Sequence, residues 1–216
     1  MGEAILTDVQ EKALDAVFLE PRLHDFYLSG GTALSERYLH HRYSDDLDLF
    51  SERPVDGAFV QSFVSTLAKT IGAKSTRFER LYDRHIFFLA QADGELKIEF
   101  TSYPFPRLEP IIADGTMRFD SLRDLAANKL MALLDRFDPK DFVDIHFLAR
   151  TSPLAAIRRD AEKKFGKEIS ALFLGSELAK VRRIEALPRM LVPLTIFELK
   201  AFFEAEAKKL AGEVIQ

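Results

Sequence analysis

The chain has 216 residues, of which 47% are hydrophobic, so it can bury a sizeable core in one large domain or two small ones. Its formal net charge of −4 argues against a protein generally coated with basic residues for nucleic-acid binding. Because there is no cysteine, disulfides and thiolate metal sites are excluded. A reducing cytoplasm is permitted by this composition, and the cytoplasm is the expected location. The N-terminal stretch carries acidic residues and no uninterrupted apolar segment, so we expect neither a signal peptide nor a membrane span there.

The chain begins with a predicted helix, a short strand and a glycine turn. Thr7 and Gln10 have the spacing of a capping box, which predicts a helix that starts after Thr7. The stretch DFYLS predicts a short buried strand that ends at Gly30 and Gly31. TALSERYLHH then predicts a helix of about three turns, and we expect His40 at its end to be solvated, together with the histidine that follows it.

A strand with two acidic side chains follows this helix. The stretch DDLDLF alternates, which predicts Leu47 and Leu49 on one face and Asp46 and Asp48 on the other. The same alternation turns Asp45 away from the two acidic residues that follow it, so Asp45 is the weaker candidate for a site.

The segment up to residue 118 completes a predicted sheet. AFVQSFVSTLAKTIG predicts a helix closed by Gly72. RHIFFLAQ and LKIEFTSY predict two strands, and the ADGE between them predicts a hairpin turn. In the second of these strands, Lys97 and Glu99 face the same side. PFPRLEP predicts a segment that runs over the surface.

The remainder of the sequence predicts helices alone. Ser121, with Asp124 in capping-box position, predicts the start of one helix, and Pro139 predicts the start of the next. The predicted fold class is therefore α+β, with a small mixed sheet and helices in residues 1–118 and a helical domain in residues 119–216.

The two acidic residues of the DDLDLF strand indicate a metal site. Residues two apart on a strand share a face, with Cα atoms about 6.5–7 Å apart, so Asp46 and Asp48 repel each other unless a cation lies between them. Hard oxygen ligands suit Mg²⁺, or Mn²⁺, and a pair of such ions can clamp the oxygens of a phosphoryl displacement. Glu99 is the best candidate for a third carboxylate. The alternative is a strand that exposes a solvated outer face.

The glycine pair fits the same chemistry. Glycine at a strand-to-helix turn lets the backbone approach a phosphate closely, and the N–H groups that open a helix favour anions. Ser29 and Thr32 add hydroxyl groups next to Gly30 and Gly31. The turn together with the acidic strand predicts a site for a phosphate and a metal.

These residues resemble a known family. Gly-Gly, a short helix and then Ser-x-Asp-Leu-Asp resembles the first motif of the nucleotidyltransferase superfamily of the polymerase-beta type. LSGGTALS…HRYSDDLDLF is most similar to the AbiEii/AbiGii family of toxins, which belong to bacterial abortive-infection and type IV toxin–antitoxin pairs and include MenT-like toxins. LRDLAANKLMALLDRFDPKDFVDIHFL is similar to the family's second region, and the resemblance covers residues 25–150.

The resemblance implies an α+β nucleotidyltransferase fold and a Mg²⁺-dependent enzyme that transfers the nucleoside monophosphate of an NTP to an acceptor hydroxyl. It implies that the helical domain contributes to the nucleotide site. Lys129 would meet the triphosphate, and either Asp141 or Asp144 would complete the site near the sugar or base. The residues expected to bind the nucleotide are Ser29, Gly30, Gly31, Thr32, Ser44, Lys129 and Arg136. The expected metal ligands are Asp46, Asp48 and Glu99, and the expected catalytic set adds Lys129, Asp141 and Asp144.

The acceptor and the partners follow from the resemblance as well. The acceptor would be an RNA 3′ end, such as that of tRNA, or else a protein hydroxyl, and a separately encoded antitoxin would be the protein partner. The basic stretches RRDAEKKFGK and KVRR are either solvated faces or a place where tRNA phosphates dock.

Two other functions and one other explanation of the second region remain open. The chain could be a non-catalytic nucleotide-binding or interaction module with the same fold, or a purely structural helical partner protein. Lys129 and Arg136 lie two turns apart on one side of a predicted helix. Instead of binding phosphate, they could pair with Asp135, Asp138 or Asp141 on the surface.

Overall fold

Residues 5–214 are described in the computed structural model of the protein. The outermost residues of the two predicted domains, 1–4 and 215–216, lie outside this range. The chain forms two compact units. The first comprises residues up to Tyr38 together with Ser44–Pro106 and Pro110–Ser121; the second comprises Leu39–Tyr43, Arg107–Glu109 and the residues from Leu122 on.

The first unit contains a mixed sheet of seven strands in the order β3-β4-β5-β2-β1-β7-β6. The strands are β1 (Tyr27–Ser29), β2 (Asp46–Ser51), β3 (Ser75–Leu81), β4 (Arg84–Ala90), β5 (Glu95–Ser102), β6 (Ile112–Asp114) and β7 (Met117–Phe119). The pairs β2·β5 and β1·β7 are parallel, and the other neighbours are antiparallel. This confirms the predicted mixed sheet. The hairpin of β6 and β7 was not predicted, because strands of three residues carry almost no periodic signal.

The described part of this unit has three α-helices, α1 (Asp8–Leu19), α2 (Gly30–Leu34) and α3 (Gly57–Thr70), and a short 3-10 helix at Pro21–Leu23. The capping box before α1 is present, since Thr7 Oγ1 accepts from the N–H of Gln10 and Gln10 Oε1 accepts from the N–H of Thr7. Helix α2 continues into a π-helical turn, Ser35–Leu39. His40 then has a positive φ of 46°, so the helical segment ends before the two histidines.

The apolar face of the two central strands β2 and β5 is fully buried. Leu47 and Leu49 on β2 and Ile98 and Phe100 on β5 all have no exposed surface. Burying four such side chains is strongly favourable, at about 1.5–3 kcal/mol each, so the register of these strands is firmly set. Their alternate residues must therefore project from the opposite, polar face.

The second unit is helical, as predicted. Its helices are α4 (Leu122–Asp135), α5 (Pro139–Leu148), α6 (Leu154–Phe165), α7 (Ala171–Ala179) and α8 (Ile196–Val214), with a 3-10 turn at Lys180–Arg183. Asp138 caps α5 by accepting from the N–H of Lys140, and Pro139 occupies the first turn. None of the described helices combines the length and apolarity needed to cross a membrane.

Asp124, which the sequence places in capping-box position, lies on the buried side of α4. It is fully buried, binds the ammonium group of Lys164 at 2.6 Å, and accepts backbone N–H bonds from Leu108 and Glu109 at 3.0 Å. These partners supply the opposite charge and the donors that a carboxylate on the buried side of a helix needs, and the capping box with Ser121 stays a prediction. Since Lys164 belongs to RRDAEKKFGK, that stretch is not a uniformly solvated face.

Candidate functional site

Three polar residues are aligned across adjacent strands of the first unit. Ser29 pairs with Asp48 between β1 and β2, and Asp48 pairs with Glu99 between β2 and β5. Paired residues project from the same face of a sheet, and here the opposite face is the apolar core. Asp46, two residues before Asp48, lies on this polar face and pairs with Lys97. The structure thus brings Asp46, Asp48 and Glu99 to one face of the sheet.

The glycine turn lies directly against one of these acidic residues. Gly30 has a φ of +67°, and a Cβ atom built on it would lie 2.0 Å from Oδ2 of Asp48 and 2.8 Å from its Cγ. Any side chain at position 30 would therefore collide with this carboxylate, and an L-residue would also be strained there. Gly31 follows as a buried residue of α2. The turn and the acidic strand form one local site.

Hydroxyl groups hold the turn in place. Ser29 Oγ donates to Asp120 Oδ2 at 2.6 Å. Thr32 Oγ1 donates to Ser44 Oγ at 2.9 Å and also contacts the carbonyl oxygen of Asp46. Ser29, Thr32 and Ser44 are buried, so their bonds are made within the protein. These contacts fix the start of α2 relative to the start of β2.

A lysine that was not predicted as a site residue lies among the acidic residues. Lys97 Nζ is 3.4 Å from Asp46 Oδ2 and 3.6 Å from Glu99 Oε2. Burial alone would lower the pKa of Lys97, but the charges of Asp48, Asp46 and Glu99 raise it above its ordinary value. The sequence held one signal for it, since Lys97 is two residues from Glu99 on the same strand face.

Glu99 is bound by an arginine on the neighbouring strand. Arg84 donates from Nε to Oε1 at 2.6 Å and from Nη2 to Oε2 at 2.7 Å, and Thr101 Oγ1 donates to Oε1 at 2.7 Å. Burial would raise the pKa of Glu99, but the hydrogen bonds from Arg84 and Thr101 and the charges of Arg84 and Lys97 lower it. Arg84 was also missed, because only strand pairing brings it to Glu99.

Asp46 and Asp48 fit a hard divalent cation, since both are half-buried carboxylates on one face. Among residues 5–214, no group of three or more His, Asp or Glu side chains is arranged to hold a metal ion. Both oxygens of Glu99 already accept hydrogen bonds from Arg84. Its role as a third ligand stays a prediction.

In the second unit, the residues predicted from the family's second region form a buried ion-pair network. Lys129 Nζ is 3.0 Å from Asp141 Oδ1 and 2.7 Å from Asp144 Oδ2. Arg42 donates to both oxygens of Asp144, at 2.7 and 2.8 Å, and His41 Nε2 lies 2.8 Å from Oδ1. Each of these five side chains is buried.

One expectation about this region needs correction, and one open alternative concerns Arg136. His41 is fully buried rather than solvated, because the helix ends at Leu39 and the backbone of His41 accepts an N–H bond from Leu191 at 2.9 Å. Arg136 donates to Asp141 Oδ2 at 2.9 Å and remains half exposed, which is the surface-type pairing considered as an alternative. Lys129 also pairs with aspartates, but it is buried.

The charges of the network shift its pKa values strongly. Burial alone would raise the pKa of Asp144, but Lys129 and Arg42 hold it well below its usual range. Burial would lower the pKa of Lys129, but Asp144 and Asp141 raise it. His41 shows the opposite balance, since burial lowers its pKa despite the hydrogen bond to Asp144. The network is therefore expected to hold Asp144 and Lys129 charged and His41 neutral near pH 7.

The fold of this chain is similar to the folds of several proteins with solved structures. A candidate nucleotidyltransferase from H. pylori has a TM-score of 0.62 and 19% identity, covering 96% of this chain and 97% of that one. MenT4, a nucleotidyltransferase toxin from Mycobacterium tuberculosis H37Rv, has a TM-score of 0.55 and 17% identity, covering 97% of this chain and 86% of that one. These similarities show a nucleotidyltransferase fold.

The family follows from the sequence as a whole. The model of the family described as nucleotidyl transferase AbiEii toxin, type IV TA system, matches residues 12–212. This chain belongs to the AbiEii nucleotidyltransferase toxin family, which confirms the predicted family and enzyme class. A relative, the uncharacterized protein aq_aa25 of Aquifex aeolicus (strain VF5), is 34% identical over 145 residues. That match covers 65% of this chain and 66% of the relative, just under two thirds of its length.

Proposed function

We propose that this chain transfers the nucleoside monophosphate of an NTP to an acceptor hydroxyl, and that this transfer makes it the growth-inhibiting member of a toxin–antitoxin pair. Family membership supports the reaction class. One observation supports the location, namely the contact between the Asp48 carboxylate and the Gly30 backbone. It joins a turn that a phosphate can approach closely to the carboxylates that suit a cation.

In this proposal Asp46 and Asp48 hold a divalent ion, Mg²⁺ or Mn²⁺. When bound, such an ion offsets the negative charge of the reacting phosphate and of the departing pyrophosphate. The triphosphate lies against the backbone of the turn at Gly30 and Gly31, beside these carboxylates. Ser29, Thr32 and Ser44 keep the turn rigid through the hydrogen bonds described above.

The reaction exchanges one phosphorus–oxygen bond for another. The acceptor oxygen bonds to the α-phosphorus while the bond from that phosphorus to the oxygen shared with the β-phosphate breaks. Pyrophosphate leaves with this bridging oxygen, and the hydroxyl proton passes to solvent. Because such transfers depend on alignment and charge compensation, the task of the chain is to hold both substrates in line.

Lys129 is the proposed contact to the triphosphate, but it already has carboxylate partners within the second unit. Its ammonium group binds Asp141 and Asp144 in the present structure. A phosphate oxygen would therefore accept from the third N–H of this ammonium group or take the place of one carboxylate in an exchange. The raised pKa keeps the lysine charged for this exchange. The roles of Asp141, Asp144 and Arg136 at the nucleotide stay predictions.

The proposed acceptor is the 3′ end of an RNA such as tRNA. Exposed cations on and just after helix α6, Arg159, Lys163 and Lys167, could bind backbone phosphates. The antitoxin is proposed as a separately encoded protein. Because these assignments rest on the family and on surface charge, the assay must be able to detect label on either RNA or protein.

The test is a transfer assay with each of the four NTPs labelled with ³²P at the α-phosphate, in Mg²⁺ or Mn²⁺, with total tRNA. We expect label on RNA from one or more NTPs, and a loss of at least about 100-fold in Asp46→Asn and Asp48→Asn, the cost of misplacing reacting groups. Asp45→Asn is the matched control, because Asp45 is an exposed carboxylate next to Asp46.

Several outcomes discriminate between functions. Label on a polypeptide instead of RNA would identify a protein hydroxyl as the acceptor. Binding of an NTP without any transfer, unchanged in Asp46→Asn, would favour the non-catalytic module. Growth arrest on expression of the wild type, absent with Asp48→Asn, would support the toxin role.

A further inference from the structure

The position of Lys97 distinguishes the acidic cluster from a plain set of metal ligands. Its ammonium group donates to Asp46 Oδ2 at 3.4 Å and lies 3.6 Å from Glu99 Oε2, and Asp48 lies on the same strand face. Lys97 is also the direct strand partner of Asp46, so the sheet register holds its backbone beside this face. The ammonium group of Lys97 thus already lies beside the carboxylates that would attract a divalent ion.

The cluster is largely neutralised by protein groups. Arg84 binds both oxygens of Glu99, and Lys97 approaches Asp46 and Glu99, so at least two of the three negative charges are offset. Electrostatic attraction for a divalent ion depends on the net charge of the cluster, and a like charge within about 4 Å opposes binding strongly. The wild-type cluster should therefore attract free divalent ions weakly.

Lys97 is placed to move, whereas Glu99 is not. The Lys97 side chain is 23% exposed and Asp46 is 39% exposed, while Glu99 is 4% exposed and held by two arginine bonds. A lysine carries its charge on a flexible four-carbon stem, so its ammonium group can leave a carboxylate without a backbone shift.

We propose that the ammonium group of Lys97 is a built-in cation of the Asp46–Asp48–Glu99 cluster, which competes with a divalent ion for Asp46 and Asp48. The inference rests on the proposed function in one respect, because it takes these two aspartates as the metal ligands. Lys97 keeps the affinity for free ions low, and the ion binds only as the ammonium group withdraws. Glu99 stays paired with Arg84 in both states.

The test measures Mn²⁺ binding to the full chain without nucleotide, by electron paramagnetic resonance of free Mn²⁺ and by calorimetry. We expect Lys97→Met and Lys97→Gln to bind Mn²⁺ at least about tenfold more tightly than the wild type, because a nearby like charge is removed. Lys97→Arg, which keeps the charge, should bind no more tightly than the wild type. Lys69→Met is the control, because it removes an exposed lysine of α3.

A further substitution ties the effect to the cluster. Adding Asp48→Asn to Lys97→Met should abolish the gain in affinity. Equal affinities of Lys97→Met, Lys97→Gln and wild type would overturn the inference, and so would a gain that survives Asp48→Asn. Thermal unfolding confirms that each variant is folded. If Lys97→Met does not fold, Lys97→Gln takes its place in the comparison.

The Mn²⁺-binding experiment and the transfer assay test the inference and the proposed function independently. If nucleotide transfer depends on Asp46 and Asp48 while the Lys97 variants bind Mn²⁺ like the wild type, the inference fails and the proposed function stands. If the Lys97 variants gain affinity through Asp48 but no NTP supports transfer, the inference stands and the proposed function fails.

Discussion

The carboxylate of Asp48 occupies the space that a side chain at Gly30 would need, with Oδ2 2.0 Å from the position of a Cβ atom. Two residues 18 positions apart in the sequence therefore constrain each other directly. Glycine at position 30 is required both by its positive φ and by this contact. The contact makes the glycine turn and the acidic strand mutually dependent.

Substitution of Gly30 by alanine tests this dependence. The new methyl group forces the Asp48 carboxylate to turn away, and displacing a reacting group by about 1 Å can cost about 100-fold in rate. We expect Gly30→Ala to lose nucleotide transfer by at least that factor. The loss of unfolding free energy should be only about 1–2 kcal/mol, the cost of left-handed backbone for an L-residue, because a carboxylate end can rotate.

Gly72→Ala is the matched control for this prediction. Gly72 also has a left-handed φ, +72°, but nothing lies within 4 Å of the position of its Cβ atom. It should lose similar stability and keep full transfer activity. Equal activity of the two variants would mean that the position of the Asp48 side chain does not matter for the reaction.

The Arg84–Glu99 pair should be energetically coupled. Removing one partner of a buried pair costs about 3–5 kcal/mol, but Arg84 is 39% exposed and solvent screens part of this, so we expect about 2 kcal/mol for Arg84→Met. The double variant with Glu99→Gln should be more stable than the sum of the single changes, by about 1 kcal/mol. Urea unfolding of the four proteins measures the coupling.

An exposed pair in the same unit provides the comparison. Arg53 and Asp25 are 3.1 Å apart, and the arginine is 72% exposed. Arg53→Met should change the unfolding free energy by less than about 1 kcal/mol. Strict additivity in the Arg84–Glu99 cycle would contradict the idea that these two charges hold each other.

The buried network of the second unit should be sensitive to loss of its central carboxylate. Asp144→Asn leaves Lys129 and Arg42 buried without their common counter-ion, so we expect a loss of about 3–5 kcal/mol in unfolding free energy. Asp135→Asn, an exposed carboxylate at the end of α4, should change it by less than about 0.5 kcal/mol. A loss below about 1 kcal/mol in Asp144→Asn would show that the cations find other partners.

His41 should make stability depend on pH. Its ring faces Asp144, Arg42 and Lys129, its Nδ1 is buried with no hydrogen-bond partner among the described residues, and burial lowers its pKa. The unfolded chain takes up this proton near pH 6.5, whereas the folded chain takes it up only at lower pH. The unfolding free energy therefore falls as pH drops below about 6.5, until the folded pKa is passed, at up to about 1.4 kcal/mol per pH unit.

This pH dependence can be assigned by substitution. Urea unfolding at several pH values from 7.5 to 4.5 should give a shallower slope for His41→Gln than for the wild type. His85 and His146 also have lowered pKa values through burial, so part of the slope remains. His24→Gln, at an exposed histidine, is the control. Below about pH 4 a further loss of stability is expected from Asp144. Its pKa is depressed in the folded chain, so the unfolded chain takes up this proton at a higher pH than the folded chain does.

Local patterns in the sequence determined much of the fold. The Thr7–Gln10 spacing placed the start of α1, alternation placed β2, and the helical periodicity of the last part of the chain predicted its helices. The twin glycines and the Ser-x-Asp-Leu-Asp segment were enough to indicate the family. These features depend on neighbours within a few residues, and for that reason they can be inferred without the fold.

Only the tertiary structure decided which charges meet. Glu99 pairs with Arg84, fifteen positions away along the chain, because β4 and β5 are antiparallel neighbours, and His41 and Arg42 reach Asp144 across more than 100 positions. Periodicity tells which face a side chain occupies, but a buried charge binds whatever opposite charge the packing places beside it. The partners of the acidic residues, and therefore their freedom to bind a metal or a nucleotide, are properties of the folded chain.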